Sequence, residues 1–208
     1  RAAGVPFVLD AAQSAGSLPV DFGALGAEFI AMPGHKGLLG PQGTGLLLCG
    51  DPGKPLLFGG TGTLSREKTM PEDLPERLEA GTVNVPGAAG LAAGIRLVRS
   101  LTPEKIFARG HGQTMACGRA LEEMGYRVFT GPHQAMTLSF QGKADCEEIA
   151  EALGSRGIAV RAGLHCAPLA HESAGTLEKG TVRISFGHDA SPAQTNALLR
   201  VLREKPEG

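Results

Sequence analysis

Apolar residues in the first fifty positions fall in short runs, without helical periodicity. Pro6-Phe7-Val8-Leu9, bounded by Gly4 and Asp10, predicts a buried strand of a parallel sheet. Runs at 28–32 and 45–49 predict two further strands after turn-rich connections. The pattern then changes. Small and apolar residues at Ala88, Leu91, Ala92, Ile95, Leu97 and Val98 predict a well-buried helix over 86–99. Thr102-Pro103-Glu104 reads as a helix start, an N-cap threonine followed by proline at the first helical position. Ile106, Ala108, Met115, Cys117, Leu121 and Met124 continue that helix near a 3.6-residue period. Beyond it the pattern predicts strands at 127–130 and 135–140, a helix over 144–153, strands at 158–161 and 182–186, and a last helix over 191–203. The expected division is 1–100 and 101–208, the second a βαβ-rich α+β domain.

Three short strands with almost no helix before residue 86 would be a poorly covered sheet. The chain therefore reads as opening in mid-domain, as part of a larger α/β protein. Its first residues, Arg1-Ala2-Ala3-Gly4, carry neither a start methionine nor a signal-peptide pattern.

Composition narrows the function classes. Over 208 residues, 20 Lys+Arg oppose 21 Asp+Glu, so no basic excess is available to neutralise a nucleic-acid backbone. One Tyr and no Trp leave little for stacking on bases. No apolar run approaches the roughly 18 residues of a membrane span. Four cysteines without CxxC spacing form no disulfide or zinc framework, which makes a reducing cytoplasm the default expectation. The 31 glycines imply tight loops, and they cluster at 34–45, 59–62, 81–94 and 154–163.

Four stretches carry candidate chemistry. Asp10, in Leu9-Asp10-Ala11-Ala12-Gln13, sits at the C-terminal end of a strand, where α/β sheets place ligands; alone it reads first as a turn or N-cap carboxylate. Lys36 lies between glycines in Gly34-His35-Lys36-Gly37, where it is placed either to attack a carbonyl carbon or simply to be solvated. Cys166 follows His165 in Arg161-Ala162-Gly163-Leu164-His165-Cys166-Ala167-Pro168, a nucleophile candidate or an inert small apolar residue. His165, Cys166 and His171 match no standard zinc spacing, so no metal is expected. Arg183 alternates with apolar neighbours in Val182-Arg183-Ile184 and faces away from them, suited to a carboxylate or to solvent.

In this order and spacing, with Glu79-Ala80-Gly81-Thr82-Val83-Asn84 in register, these stretches resemble the C-terminal half of class V (fold type I) pyridoxal-phosphate enzymes. They are most similar to the cysteine desulfurase and selenocysteine lyase branch, from about Val8 to Leu202. The resemblance implies an α/β fold: the C-terminal part of the large cofactor-binding domain over 1–100, then a small C-terminal α+β domain carrying the cysteine loop over 101–208. It implies pyridoxal 5'-phosphate held by Asp10 at the ring nitrogen, Gln13 at the phenolic oxygen, His35 at the phosphate and Thr82 at the phosphate of a neighbouring subunit in a homodimer. Lys36 would bind the cofactor covalently and move protons at the substrate α-carbon. Arg183, supported by Arg161, would grip the substrate carboxylate, and Cys166 would accept sulfur from L-cysteine as a persulfide, releasing L-alanine.

Sixteen residues separate Cys166 from Arg183, which resembles the compact-loop group that passes sulfur to an acceptor protein. Pro33 stands where the family often has a phosphate-binding serine. The family's phosphate loop and ring-stacking residue fall before residue 1, so the missing N-terminal half is an expected partner. Alternative readings are selenocysteine lyase, another class V aminotransferase, or a non-catalytic fragment acting in dimerisation or partner binding.

Overall fold

The computed structural model describes residues 3–64 and 66–204. Arg1-Ala2 of the opening tetrapeptide and the outer ends of both expected domain spans lie outside them. The chain divides into two compact units, Arg1–Glu104 and Lys105–Gly208.

Unit 1 holds a three-stranded sheet, β1 (Val8–Asp10), β2 (Phe29–Pro33) and β3 (Gly45–Cys49), in the order β1-β2-β3. A short helix, α1 (Phe22–Leu25), is N-capped by Asp21. β1 pairs parallel with β2, but β3 runs antiparallel, correcting the expectation of a parallel sheet. The reason is the connection: residues 34–44 contain no helix, and a parallel return needs a crossover of a dozen or more residues. Nor is β1 buried. It is an edge strand, and Val8 is 66% exposed. The core of this unit gathers Ala11, Ala15, Ile30, Met32, Leu38 and Leu91.

Helix α2 (Val85–Leu101), expected to be well buried, buries a stripe of Gly87, Leu91, Gly94 and Val98 on one face. Its N-terminus is capped by Asn84, whose side chain accepts from the Gly87 N–H at 3.0 Å. Thr102, at φ +64°, closes α2 by donating its N–H to the Val98 carbonyl, and Pro103 opens α3 (Pro103–Glu123).

Unit 2 contains β4 (Arg127–Phe129), β5 (Thr137–Gln141), α4 (Cys146–Gly154), β6 (Arg161–Gly163), α5 (Pro168–Ala174), β7 (Thr181–Ser185) and α6 (Pro192–Glu204). The sheet order is β4-β5-β7-β6 with every neighbouring pair antiparallel. β7 thus inserts between β5 and β6, a split βαβ arrangement. The strand expected at 158–161 begins at Arg161 instead. Ile158 and Val160 pack on the core, but the ladder starts only where Arg161–Gly163 meets β7. Helix α5 has no counterpart among the expected elements; its local signals are Pro168 at its first turn and the left-handed Gly175 at its C-cap.

Leu138, Phe140, Val182 and Ile184 point to one face of this sheet and pack with Cys117 and Leu121 of α3, Leu153 of α4 and Leu199 of α6. The period-2 alternation of the strands therefore assigns the opposite face to Ser139 and Arg183. Cys117 and Cys146 are core residues as expected, whereas Cys49 is only half-buried. Among the described residues no helix is long and apolar enough to cross a membrane.

Candidate functional site

Asp10 ends β1 and Lys36 follows the C-terminal end of its parallel neighbour β2, the edge where α/β sheets bind ligands. Asp10 is exposed, and its Oδ1 accepts the Ala12 N–H at 2.8 Å, the turn role foreseen for it. Its Oδ2 makes no hydrogen bond among the described residues. Gln13 is exposed in the following turn, closed where the Ser17 hydroxyl donates to the Gln13 carbonyl.

His35 and Lys36 are exposed on a loop that is far from loose. The Gly34 N–H donates to Thr44 O at 2.7 Å and the Gly40 N–H to Gly34 O at 2.7 Å. A Cβ on Gly37 would lie 2.2 Å from the Ala15 carbonyl oxygen, and one on Gly94 of α2 would lie 2.4 Å from Leu38 O. The lysine loop is thus pressed between the Asp10–Gln13 turn region and α2, backbone against backbone. Lys36 makes no ion pair among the described residues. Thr82 is exposed beside Gly81, whose N–H donates to Gly59 O.

In unit 2 the register brings together what sequence distance conceals. Arg161 of β6 stands directly opposite Arg183 of β7, and Ser139 of β5 faces Arg183 from the other side. Residues paired this way share a face, and like charges in direct opposition are destabilising. Neither arginine has an acidic partner among the described residues, and Arg183 Nε is buried with no hydrogen-bond partner. Arg161 Nη2 donates to Sγ of the exposed Cys166 at 3.5 Å. The cluster is a cationic, anion-accepting face with a thiol at its rim.

His165 Nε2 lies 3.1 Å from the Thr181 carbonyl and 3.0 Å from Thr181 Oγ1. A carbonyl only accepts, so Nε2 carries the hydrogen and Nδ1, buried without a partner, is left bare. Burial first, then the nearby Arg183 and His171, hold His165 below the ordinary histidine pKa. The unfolded chain therefore binds more protons in the window below about pH 6.5, and stability falls as pH drops through it. A urea titration is expected to show that fall between about pH 7 and pH 5, flattened in His165→Gln. An unchanged slope would overturn the assignment. His171 is buried, with its Nδ1 2.8 Å from Thr176 Oγ1 and its ring centroid 5.6 Å from that of His165.

The family model described as Aminotransferase class-V matches residues 1–198. The chain belongs to the class V aminotransferase family. Among its relatives are probable cysteine desulfurases of Methanothermobacter thermautotrophicus, 35% identical over 97% of this chain and 53% of that protein, and of Pyrococcus abyssi, 36% identical over 97% and 52%. The apo structure of cysteine desulfurase from Thermococcus onnurineus NA1 superposes with a TM-score of 0.86 at 34% identity, over 99% of this chain and 53% of that one. The chain spans about half the length of the curated relatives it matches. Its α/β fold matches that of cysteine desulfurase structures.

Within this class V chain, the structure groups Asp10, Gln13, His35 and Lys36 by adjacent loops of unit 1, and Arg161 and Arg183 by one strand pair of unit 2, with Cys166 on the loop that follows β6. Thr181 and Thr176 have no sequence signal, because their partners lie 16 and 5 residues away around a loop. Among the described residues no group of three or more His, Cys, Asp or Glu could hold a metal ion. A cavity of about 450 Å³ in unit 2 is lined by Ile158, Ile184, Phe186 and Leu198 together with Arg156, Asp189 and Gln194, and by none of the expected site residues.

Proposed function

We propose that this protein provides the lysine, sulfur-accepting cysteine and carboxylate-binding arginines of a pyridoxal-phosphate-dependent cysteine desulfurase. The observation that carries the reading is the Arg161–Arg183 cross-strand pair: two unneutralised guanidiniums on one face, beside an exposed thiol. A carboxylate bound there relieves the repulsion, and an amino-acid substrate supplies one.

The residues of unit 1 fit the cofactor by their chemistry. Asp10 offers a free carboxylate oxygen able to hold a proton at the pyridine nitrogen, and Gln13 an amide donor for the phenolic oxygen. His35 offers a donor for the phosphate, as does Thr82 toward that of a partner subunit in a homodimer. When bound, pyridoxal phosphate supplies the electron sink that makes the substrate α-proton acidic. Lys36 binds the cofactor, then takes the α-proton and returns one at carbon. Arg183 and Arg161 orient the carboxylate of L-cysteine. The Cys166 thiolate attacks the substrate sulfur; an S–S bond forms, the carbon–sulfur bond breaks with its electron pair left on carbon, and L-alanine departs. The persulfide on the exposed Cys166 is then open to a sulfur-acceptor protein. In this reading unit 1 is the C-terminal part of the large domain and unit 2 the small C-terminal domain. An exposed functional thiol suits the reducing cytoplasm.

The test is to treat the purified protein with pyridoxal phosphate and L-cysteine, then measure alanine and the mass of the Cys166 peptide. One added sulfur on Cys166, lost in Cys166→Ser together with alanine release, is the expected result. Alanine release from selenocysteine that survives Cys166→Ser, with none from cysteine, would establish a lyase instead. No added sulfur and no alanine would overturn catalysis by this chain alone, leaving a binding role or activity that needs the expected N-terminal half.

A further inference from the structure

His165 and Cys166 both occupy the left-handed region, at φ +54° and +61°, the one consecutive pair of non-glycine residues to do so among the described residues. This backbone is costly for any residue but glycine, so the surroundings must hold the pair in place. Their hold is visible. Thr181 lies on the same strand face as Arg183, two residues away, yet is buried, because the cysteine loop covers it. The covering contact is the His165 ring on the Thr181 carbonyl and hydroxyl. Behind it stands His171, fixed where its Nδ1 meets the Thr176 hydroxyl and where the Thr176 N–H donates to the His171 carbonyl at 2.8 Å.

We infer that His165 is a positioning residue: hooked on Thr181, it holds the loop so that the Cys166 thiol stands against the Arg161–Arg183 carboxylate site. The inference rests on the reading of that arginine pair as the substrate-carboxylate site and of Cys166 as the nucleophile. It adds how the two are kept in register. β7 carries both the hook point, Thr181, and the arginine, Arg183, so one rigid strand sets the distance between thiol and carboxylate. Without the hook, only the turn's own bond, the Ala167 N–H to the Leu164 carbonyl at 2.9 Å, opposes relaxation of the strained pair, and the thiol leaves Arg161.

Alkylation of the protein as purified tests this without cofactor. Iodoacetate carries a carboxylate and iodoacetamide does not; their rate ratio at Cys166, relative to the same ratio in urea, reports a thiol aligned with a carboxylate site. In the wild type that relative ratio is expected to rise about 5-fold, the scale of an exposed charge pair. His165→Ala is expected to bring it to within about 2-fold of the unfolded value, and His165→Gln, whose amide N–H reaches the Thr181 carbonyl, to restore most of it. A general loss of structure would not be rescued by glutamine.

Buried Cys117, its thiol pushed up to about 11 by burial, stays unlabelled while unit 2 is folded and serves as the internal gauge. Should His165→Ala expose Cys117, His165→Asn replaces it as the deciding variant, since asparagine tolerates the left-handed backbone but is too short to reach Thr181. A raised wild-type ratio unchanged in these variants overturns the positioning role alone. An unraised wild-type ratio overturns the carboxylate site and the positioning role with it. A raised, hook-dependent ratio in a protein that never gains sulfur on Cys166 removes the desulfurase reading and leaves the geometry standing.

Discussion

Replacing Lys36 by alanine is expected to cut turnover of L-cysteine by at least about 10³-fold, the upper range for loss of a positioned proton-transfer group. The expectation follows from where the side chain sits. Lys36 is exposed at the ligand edge of a parallel strand pair, on a loop whose shape depends on its neighbours: Gly34 bonded to Thr44, Gly40 bonded to Gly34, Gly37 against Ala15. Its amine makes no ion pair among the described residues, so its removal costs the fold within about 0.5 kcal/mol. Loss of activity with an unchanged unfolding midpoint is therefore the signature. An independent readout is borohydride fixation of pyridoxal phosphate, expected as added mass on the wild-type Lys36 peptide and absent from the variant. Fixation at another lysine, or turnover above a tenth of wild type, would remove Lys36 from its proposed role.

The largest stability effect is expected at Gly16. Its backbone has φ +84°, and a Cβ there would fall 1.9 Å from the Gly37 carbonyl oxygen. Backbone cannot step aside as a flexible side chain can. Gly16→Ala forces the turn after Gln13 away from the lysine loop, at a combined cost of about 3 kcal/mol or more from left-handed strain and overpacking. For a unit of this size that lowers the unfolding midpoint by roughly 12 °C or more. Gly43→Ala is the control. It shares the left-handed backbone at φ +74°, but nothing lies within 4 Å of its Cβ, so it carries only the strain of about 1 kcal/mol. Calorimetry of the two variants separates strain from collision. Equal midpoints would show that the loops do not press together as described. Because Gly16 couples the Asp10–Gln13 turn to the Lys36 loop, its variant is also expected to weaken cofactor fixation, though it touches neither residue's side chain.

How much of this is legible in the sequence varies by element, and the reasons differ. Helices α2, α3, α4 and α6 lie within three residues of their expected ends, because apolar periodicity and the starts Thr-Pro and Ser-Pro are local signals. Their buried faces are less legible. Gly110, Thr114 and Gly118 line the buried side of α3 in place of Ala108 and Met115, since close packing against Met136 and neighbouring side chains selects small residues that hydropathy does not mark.

Determined by the sequence alone were the types of chemistry on offer: a lysine among glycines after a strand, an aspartate at a strand end, a cysteine beside a histidine, and an arginine set apart from apolar neighbours. These lie within short windows, where residue type and turn chemistry act. Only the tertiary structure decided that β3 turns back antiparallel, that β7 inserts beside β6, and hence that Arg161 opposes Arg183. The same register carries Thr181 under His165 and makes a strained loop a held one. Hydrogen-bond register is a property of two strands at once, chosen by the burial of whole faces, and no single segment contains it.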